Sequence, residues 1–318
     1  MDSTRLALRT TLFAAILGRL VREPASAAEM VTLREKRERL LRTPIGRRVF
    51  GREADGVETQ DVYADLGDHR SRLHVHRPAG ATGPLPIVVN YHGGGWCLGS
   101  PEQSAWLASH VAVGAGCLVV SPTYRLAPEH TYPAAVEDAW AVLQWVAEHA
   151  GELGGDPSRI AVMGDSAGGN LASIVSLMAR DAGGPALRAQ VLVYPAVEMY
   201  ETWPSETENA HAPVLSSKQM HSFGRLYMGE RYGDEDWQAS PIRAASHADL
   251  PPALVLTAHH DPLRDHGGRY ADALRTAGSE ATLRDYGPGI HGFVALPGVV
   301  PVARQALADV VAFLRDRL

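Results

Sequence analysis

Short apolar runs alternate with amphipathic stretches along most of the chain. The runs are continuously apolar, which is typical of central strands in a parallel sheet that is buried on both faces. They cover residues 87–91, 117–120, 160–163, 191–194, 253–256 and 281–283. Helical patterns lie between or after them, at residues 134–149, 167–180, 265–277 and 301–318. This alternation predicts an α/β fold with a doubly wound, mostly parallel sheet and helices on both of its faces.

The N-terminal part of the chain departs from this alternation. Residues 4–43 predict two amphipathic helices. An apolar run at 11–17, followed by Ala25-Ser26-Ala27, has some likeness to a secretory signal, but Arg9 and Arg19 bracket a run of only seven residues. We therefore favour a helix and a cytoplasmic location over a secreted or periplasmic one. No window approaches the ~18 apolar residues of a membrane span, so no membrane insertion is expected.

A hairpin and an insertion complete the pattern. Residues 62–63 and 73–76 alternate like two antiparallel strands, which raises the expected sheet to eight strands. Residues 195–251 contain no apolar strand pattern and include a helical stretch at 217–228. One face of that helix carries a stripe of apolar and aromatic residues. Such a stripe more often packs against the protein interior than lines a substrate site. The stripe consists of Met220, Phe223 and Tyr227.

Composition narrows the class of protein. The chain has 318 residues and a formal net charge of −6, and its arginines are scattered, so nothing predicts a nucleic-acid partner. The only cysteines are Cys97 and Cys117, which excludes a disulfide framework and a CxxC metal or redox motif. Both lie in or beside apolar segments, so we interpret them as small buried hydrophobes in preference to a disulfide pair.

The strongest local motif is Gly164-Asp165-Ser166-Ala167-Gly168-Gly169, between an apolar strand and a helical pattern. A serine in Gly-x-Ser-x-Gly at such a junction is the nucleophile elbow of hydrolases, and the tight turn requires the glycines. We expect strained backbone at Ser166 and a helix N-terminus that favours developing negative charge. By itself the motif could also be an inert glycine-rich turn.

A second glycine motif, His92-Gly93-Gly94-Gly95-Trp96, directly follows the strand at 87–91. Consecutive glycines let the backbone approach a ligand closely with free N–H groups. Together with the amide of Ala167, these N–H groups predict an oxyanion hole.

A serine hydroxyl needs a histidine base and an orienting acid, and the chain order in this architecture is serine, acid, histidine. Asp261 and His291 follow the last two predicted strands in that order. Asp261 could also cap the next helix, with Pro262 at its first position, and Asp265 is the competing acid. His259, His260 and His266 lie nearby, but their spacing fits no metal motif, so no metal is predicted.

Together these segments resemble the hormone-sensitive-lipase family of α/β-hydrolase esterases, in particular its bacterial branch with a Gly-Asp-Ser-Ala-Gly serine motif. The likeness runs from about Val62 to Leu314. Besides the two glycine motifs, the matching segments are Tyr124-Arg125-Leu126-Ala127-Pro128-Glu129-His130, Tyr132-Pro133-Ala134-Ala135-Val136-Glu137-Asp138, Asp261-Pro262-Leu263-Arg264-Asp265 and His291-Gly292-Phe293. His259-His260, His266 and Pro288-Gly289 depart from the family pattern, which leaves the triad intact but affects the expected pocket near Asp261 and the His291 loop.

The resemblance implies an α/β-hydrolase fold with a central, mostly parallel eight-stranded sheet and a helical cap. We predict an N-terminal helical cap segment at residues 1–45 and a catalytic domain at 46–318, with a second cap segment inserted at about 197–245. The resemblance also implies roles for individual residues. These are Ser166 as nucleophile, His291 as general base, Asp261 as orienting acid, and Gly93, Gly94 and Ala167 as oxyanion donors. We add His92 and Gly95 as candidates for oxyanion binding or loop support, and Trp96, Asp165 and Phe293 as candidates for the substrate pocket.

The expected reaction is hydrolysis of short- to medium-chain carboxylic esters through an acyl-enzyme, without a cofactor. The expected partner is a small-molecule ester, with a homodimer possible. An amidase, lactonase or carbamate hydrolase with the same triad is the alternative. A non-catalytic ligand-binding receptor of this fold is less favoured, because it predicts a broken triad.

Overall fold

The central sheet has eight strands, as seen in a computed structural model that describes residues 4–20 and 27–318. The strands are β1 (Val57–Asp65), β2 (Arg70–Pro78), β3 (Leu85–Tyr91), β4 (Leu118–Pro122), β5 (Gly155–Asp165), β6 (Leu187–Val193), β7 (Ala253–His260) and β8 (Ala281–Ile290). Their order in the sheet is β1-β2-β4-β3-β5-β6-β7-β8. The pairs β1–β2 and β2–β4 are antiparallel, and all the others are parallel. The predicted mostly parallel eight-stranded sheet is confirmed.

Helices connect the strands and precede the sheet. Within the described part of the chain they are α1 (Leu8–Leu20), α2 (Ala27–Arg42), α3 (Pro44–Val49), α4 (Ala105–Ala115), α5 (Ala134–Glu148), α6 (Ala167–Ala182), α7 (Pro204–Glu208), α8 (Ser217–Met228), α9 (Arg264–Thr276) and α10 (Ala303–Arg317). The two predicted N-terminal helices correspond to α1 and α2. Ala25 and Ser26 of the signal-like segment lie outside the described residues.

Both faces of the sheet are covered by a hydrophobic core, because successive strand residues point to opposite sides. Ile87 and Val89 join the core formed with α5, α6 and α9. Val88, between them, joins the core formed with α4 and α10. Helices therefore lie on both faces, and the carboxyl ends of the parallel strands are left to form a site.

Helix α4 was not predicted. Seven of its eleven residues are buried, and it packs between β2, β4 and α10. A helix that is apolar around most of its circumference gives no amphipathic period, so the pattern of residues 105–115 does not distinguish it from a strand.

None of the helices in residues 4–20 and 27–318 combines the length and the apolar character that crossing a membrane requires. Cys97 and Cys117 are both buried free thiols, as the apolar surroundings predicted.

Candidate active site

Ser166 lies in a tight turn between β5 and α6, with φ 56° and ψ −118°. This is a strained conformation for a residue with a side chain. The flanking glycines make the turn possible: a Cβ on Gly164 would lie 2.2 Å from the carbonyl oxygen of Gly168, and one on Gly168 would lie 1.9 Å from that of Tyr91. The backbone therefore fixes the serine at the carboxyl end of the sheet.

Three predicted side chains meet at this point. Nε2 of His291 lies 2.9 Å from Oγ of Ser166, and its Nδ1 lies 2.7 Å from Oδ2 of Asp261. Asp261 directly follows β7, and His291 directly follows β8. Asp261 is fully buried, while Ser166 and His291 are 8% and 7% exposed. An acid, an imidazole and a hydroxyl are thus connected in series by hydrogen bonds.

The carboxylate of Asp261 is positioned by its own loop. Its Oδ1 accepts a hydrogen bond from the backbone N–H of Leu263 at 2.9 Å. Helix α9 begins at Arg264 with Leu263 as its N-cap, so Asp261 caps the preceding turn and not the helix itself. The competing acid, Asp265, instead accepts from the backbone N–H of Ser205 at 3.0 Å.

Asn209, which no sequence pattern identified, stabilises this loop. The side-chain amide of Asn209 donates to the backbone carbonyls of His259 and Asp261, at 3.3 and 3.2 Å. Asn209 follows α7, about fifty residues before Asp261. No local sequence pattern connects the two positions.

The glycine loop after β3 approaches the serine elbow. Gly94 has φ 135°, and a Cβ there would lie 2.1 Å from the carbonyl oxygen of Leu98. The Gly93 N–H donates to Oδ1 of Asp165 at 2.8 Å. Gly93 is therefore not a free donor, which corrects its predicted role, and Gly94 and Gly95 are the loop glycines left for an oxyanion.

Contacts between His92 and Tyr124 hold the start of the glycine loop in place. Its ring stacks on Tyr124 with ring centroids 4.3 Å apart, and the Tyr124 hydroxyl donates to the His92 carbonyl at 2.7 Å. Burial lowers the pKa of His92 to about 4, so the ring is neutral at physiological pH. The interpretation of His92 as loop support fits these contacts.

Asp165 and Phe293, which the sequence predicted as substrate-pocket residues, are buried and contact other protein groups. Tyr194 lies between them: its hydroxyl is 3.5 Å from Oδ2 of Asp165, and its ring is 5.3 Å from that of Phe293. The Tyr194 ring also packs against His291 at 4.8 Å. Tyr194 directly follows β6, and its position at a strand's carboxyl end was the signal that could have identified it.

Trp96 is also buried, at 3% exposure, and stacks on Tyr227 of α8 with ring centroids 4.5 Å apart. This stack agrees with the interpretation of the α8 stripe as packing at Tyr227. Phe223 is different, because it is only partly buried and its ring contacts Gly95. Among these aromatic residues, Phe223 combines partial exposure with contact to the glycine loop.

Burial changes the chemistry of Asp165. It raises the pKa of this carboxyl to about 6, although the hydrogen bond from the Gly93 N–H opposes the shift. The ordinary value is 3.8. A carboxyl that bridges the serine turn and the glycine loop therefore titrates close to neutral pH.

Comparison with known proteins agrees with this geometry. A sequence model of a family with the α/β-hydrolase fold matches residues 88–295. Over 249 residues the chain is 45% identical to the carboxylesterase NlhH of Mycobacterium tuberculosis, with 77% of this chain and 78% of that protein covered. The chain belongs to the α/β-hydrolase family.

Other relatives indicate to which group of enzymes this α/β-hydrolase is most similar. It is 34% identical over 276 residues to an ethyl acetate hydrolase of Pseudomonas putida, with 83% of this chain and 86% of that protein covered. The solved structure of an esterase from Pyrobaculum calidifontis superposes with a TM-score of 0.88 at 38% identity, covering 98% of this chain and 99% of that one. The resemblance to the hormone-sensitive-lipase family of esterases is therefore confirmed.

The histidines that depart from the family pattern diverge in this hydrolase. His260 contacts the carbonyl of Thr4 at 2.7 Å, and His259 lies 3.6 Å from Asp285. Nε2 of His266 lies 3.8 Å from Glu206. The three side chains therefore point to different partners.

Proposed function

We propose that this α/β-hydrolase cleaves short- to medium-chain carboxylic esters, with Ser166 as nucleophile, His291 as general base and Asp261 as orienting acid. The observation that carries the proposal is the series of two contacts, 2.9 Å from Ser166 Oγ to His291 Nε2 and 2.7 Å from His291 Nδ1 to Asp261 Oδ2. The names of the relatives, carboxylesterase and ethyl acetate hydrolase, support an ester as substrate.

In the first half-reaction, Ser166 Oγ attacks the carbonyl carbon of the ester while Nε2 of His291 takes the hydroxyl proton. Asp261 keeps the other ring proton on Nδ1 and stabilises the imidazolium that forms. The tetrahedral intermediate collapses, the bond to the alcohol oxygen breaks, and His291 returns the proton to the alcohol. The acyl group is then bonded to Ser166.

The oxyanion of each tetrahedral intermediate needs backbone donors. We propose Gly94, Gly95 and Ala167 for this role. Ala167 is the first residue of α6, where an N–H has no partner within the helix. The Gly93 N–H, which donates to Asp165, holds the loop in register with the serine turn.

The second half-reaction repeats the first with water. His291 removes a proton from water, the hydroxide attacks the acyl carbon, and the bond to Ser166 Oγ breaks with return of the proton. The product is a carboxylic acid. Every proton moves through His291, and no cofactor is involved in these steps.

The segments over the carboxyl ends of the strands are proposed to form the cap, with boundaries of 1–45 and about 197–245. Arg34 of α2 donates through Nε to the carbonyl of Cys97 at 2.6 Å, and Phe223 of α8 contacts Gly95. Both contacts fall on the loop that would bind the oxyanion. We propose that Phe223 borders the acyl group and limits its length.

The test is a panel of p-nitrophenyl esters from acetate to palmitate, assayed with the parent and with Ser166→Ala. We expect Ser166→Ala to lower kcat by at least about 10⁴-fold. Ser176→Ala is the matched control, because Ser176 is a buried serine on α6, directly after the serine turn, and its hydroxyl donates to the Ala172 carbonyl. Parental activity in a folded Ser166→Ala protein would refute the proposed nucleophile.

The same panel tests the substrate class. A maximum at acetate to about octanoate is expected, and a maximum at palmitate would contradict it. An amide with the preferred acyl group separates esterase from amidase activity. The cytoplasmic location, the absence of a nucleic-acid partner and the homodimer stay predictions from the sequence.

A further inference from the structure

A group of metal-binding side chains lies at the antiparallel edge of the sheet, separate from the serine site. Glu53, His74 and His76 each offer one ligand atom, and these atoms all lie within 4.8 Å of one another. His74 and His76 are two residues apart on β2, so their side chains share one face of the sheet. Glu53 comes from the segment that precedes β1. The sequence alone gave no spacing that would connect these residues.

The two histidines have unused ring nitrogens. His76 is fully buried, and among the described residues neither of its ring nitrogens has a hydrogen-bond partner. Nε2 of His74 is also buried and has no hydrogen-bond partner in the part of the chain that the structure describes. Leaving a buried polar atom unpaired costs ~1–3 kcal/mol, and a bound metal ion would satisfy one nitrogen of each ring.

Hydrogen bonds from neighbouring residues orient His74 and Glu53. Nδ1 of His74 donates to Oδ1 of Asp61 at 2.7 Å, which leaves the lone pair on Nε2. A metal-binding imidazole commonly donates its other ring N–H to a carboxylate in this way. On the other side, the Thr59 hydroxyl donates to Oε2 of Glu53 at 3.2 Å, and Thr59 is the β1 partner of His76.

We propose that Glu53, His74 and His76 bind one divalent transition-metal ion, with zinc the best fit, through two imidazole nitrogens and one carboxylate oxygen. Two nitrogen ligands favour zinc and its neighbours over magnesium and calcium, which prefer oxygen. Tetrahedral ligands about 2.0–2.1 Å from zinc lie about 3.3 Å apart, so the most widely separated ligand atoms must approach each other by up to about 1.5 Å. Glu53 is exposed and can make that movement.

A cavity of about 990 Å³ is lined by Glu53 and Asp61, among others, so the carboxylate end of this group borders open space. Arg72 also lines the cavity, but its charge is engaged by Asp61 and Glu102, at 3.1 and 2.7 Å. Because Glu53 precedes β1 while both histidines belong to β2, the ion would connect two segments and stabilise this edge of the sheet.

The test is titration of the full chain, free of any polyhistidine tag, with zinc by calorimetry and with cobalt by visible absorption. We expect one ion per chain with a micromolar or lower Kd, a tetrahedral cobalt spectrum, and a melting temperature that rises with zinc concentration. Glu53→Gln and His74→Gln should each weaken binding by at least about tenfold. Glu53 is exposed, so its variant keeps the proposal testable if a histidine variant fails to fold.

Two controls locate the site. His149→Gln removes a half-buried histidine at the end of α5, and Ser166→Ala removes the proposed nucleophile; both should bind zinc like the parent. The proposal is overturned if the parent binds no zinc at 1 mM, or if Glu53→Gln and His74→Gln bind like the parent. Loss of binding in His291→Gln alone would also overturn it, because the ion would then occupy the serine site.

Discussion

The serine turn and the helices packed over it are held by different kinds of contact. In α6, which begins at the serine turn, twelve of sixteen residues are buried. In α8, which covers the glycine loop, only Gly224, Tyr227 and Met228 of twelve residues are buried. The reacting atoms are therefore positioned by backbone inside the core, whereas the covering segment is attached by a few side chains. Changes in the first region should affect folding and chemistry together, and changes in the second should affect substrate preference.

The largest effect is expected from Gly168→Ala. A Cβ at this position would lie 1.9 Å from the carbonyl oxygen of Tyr91, and neither backbone segment can move without displacing Ser166. We expect a loss of at least about 3 kcal/mol in the free energy of unfolding and loss of esterase activity. Urea unfolding and the ester assay measure the two effects.

Gly268→Ala is the matched control for this change. Gly268 lies inside α9, and a Cβ there would meet no atom of residues 4–20 and 27–318 within 4 Å outside its own stretch of helix. Because alanine is the better helix former, we expect a gain of about 0.5–1 kcal/mol and unchanged activity. Equal effects at the two glycines would contradict the distinction between a close backbone approach and an ordinary helical position.

The next effect concerns the hydrogen bond between the serine turn and the glycine loop. Asp165→Ala removes the acceptor of the Gly93 N–H, so the oxyanion donors lose their register with Ser166. We expect kcat to fall about 10²-fold with little change in KM. Asp165→Asn keeps a carbonyl oxygen for the Gly93 N–H and should retain most of the activity. A drop of the same size in both variants would show that charge, and not loop position, is what matters.

Asp165 also predicts a pH dependence of stability. Its pKa is raised from 3.8 to about 6 in the folded protein, so the unfolded chain ionises first as pH rises. This contribution to stability is therefore fully present below about pH 4 and is lost as pH rises through about 6. Between pH 4 and pH 7 the parent should lose about 3 kcal/mol more than Asp165→Asn in urea unfolding. Parallel pH profiles would disprove the buried, titrating carboxyl.

A smaller effect is expected where α2 meets the glycine loop. The Arg34 guanidinium donates to the carbonyls of Cys97 and Ala127 and pairs with Glu129 at 2.6 Å. Arg34→Ala leaves these carbonyls unpaired and should cost about 2 kcal/mol of unfolding free energy. Arg39→Ala on the same helix removes an 81%-exposed side chain and should cost less than about 0.5 kcal/mol. Comparable losses in chemical unfolding would mean that Arg34 does not anchor the helix.

The smallest expected effect is a change in the preferred length of the acyl chain. Phe223→Ala opens space beside Gly95, and we expect kcat/KM for longer acyl chains to rise about 3–10-fold relative to acetate. Arg225→Ala, an exposed change on the same helix, should leave the chain-length profile unaltered. An unchanged profile in Phe223→Ala would remove Phe223 from the proposed acyl site.

The sequence predicted most of the site because the serine turn is a local structure. Gly164, Ser166 and Gly168 lie within five residues, so the strand, the turn and the helix that make the elbow are all visible in one short segment. Asp261 and His291 could be predicted because the carboxyl ends of parallel strands meet at one edge, and the chain order of the triad is fixed in this architecture. Helix α4 was missed because burial on most of its sides removes the amphipathic period.

The amino-acid sequence by itself determined the mostly parallel sheet, the serine turn and the order of the triad, because each rests on short-range pattern or on strand order. Only the tertiary structure decided that Gly93 donates to Asp165, that Trp96 and Phe293 are buried, and that Glu53 approaches His74 and His76. These contacts join segments that are far apart in the chain. Their distances depend on how helices and strands pack, and a one-dimensional pattern carries no record of that packing.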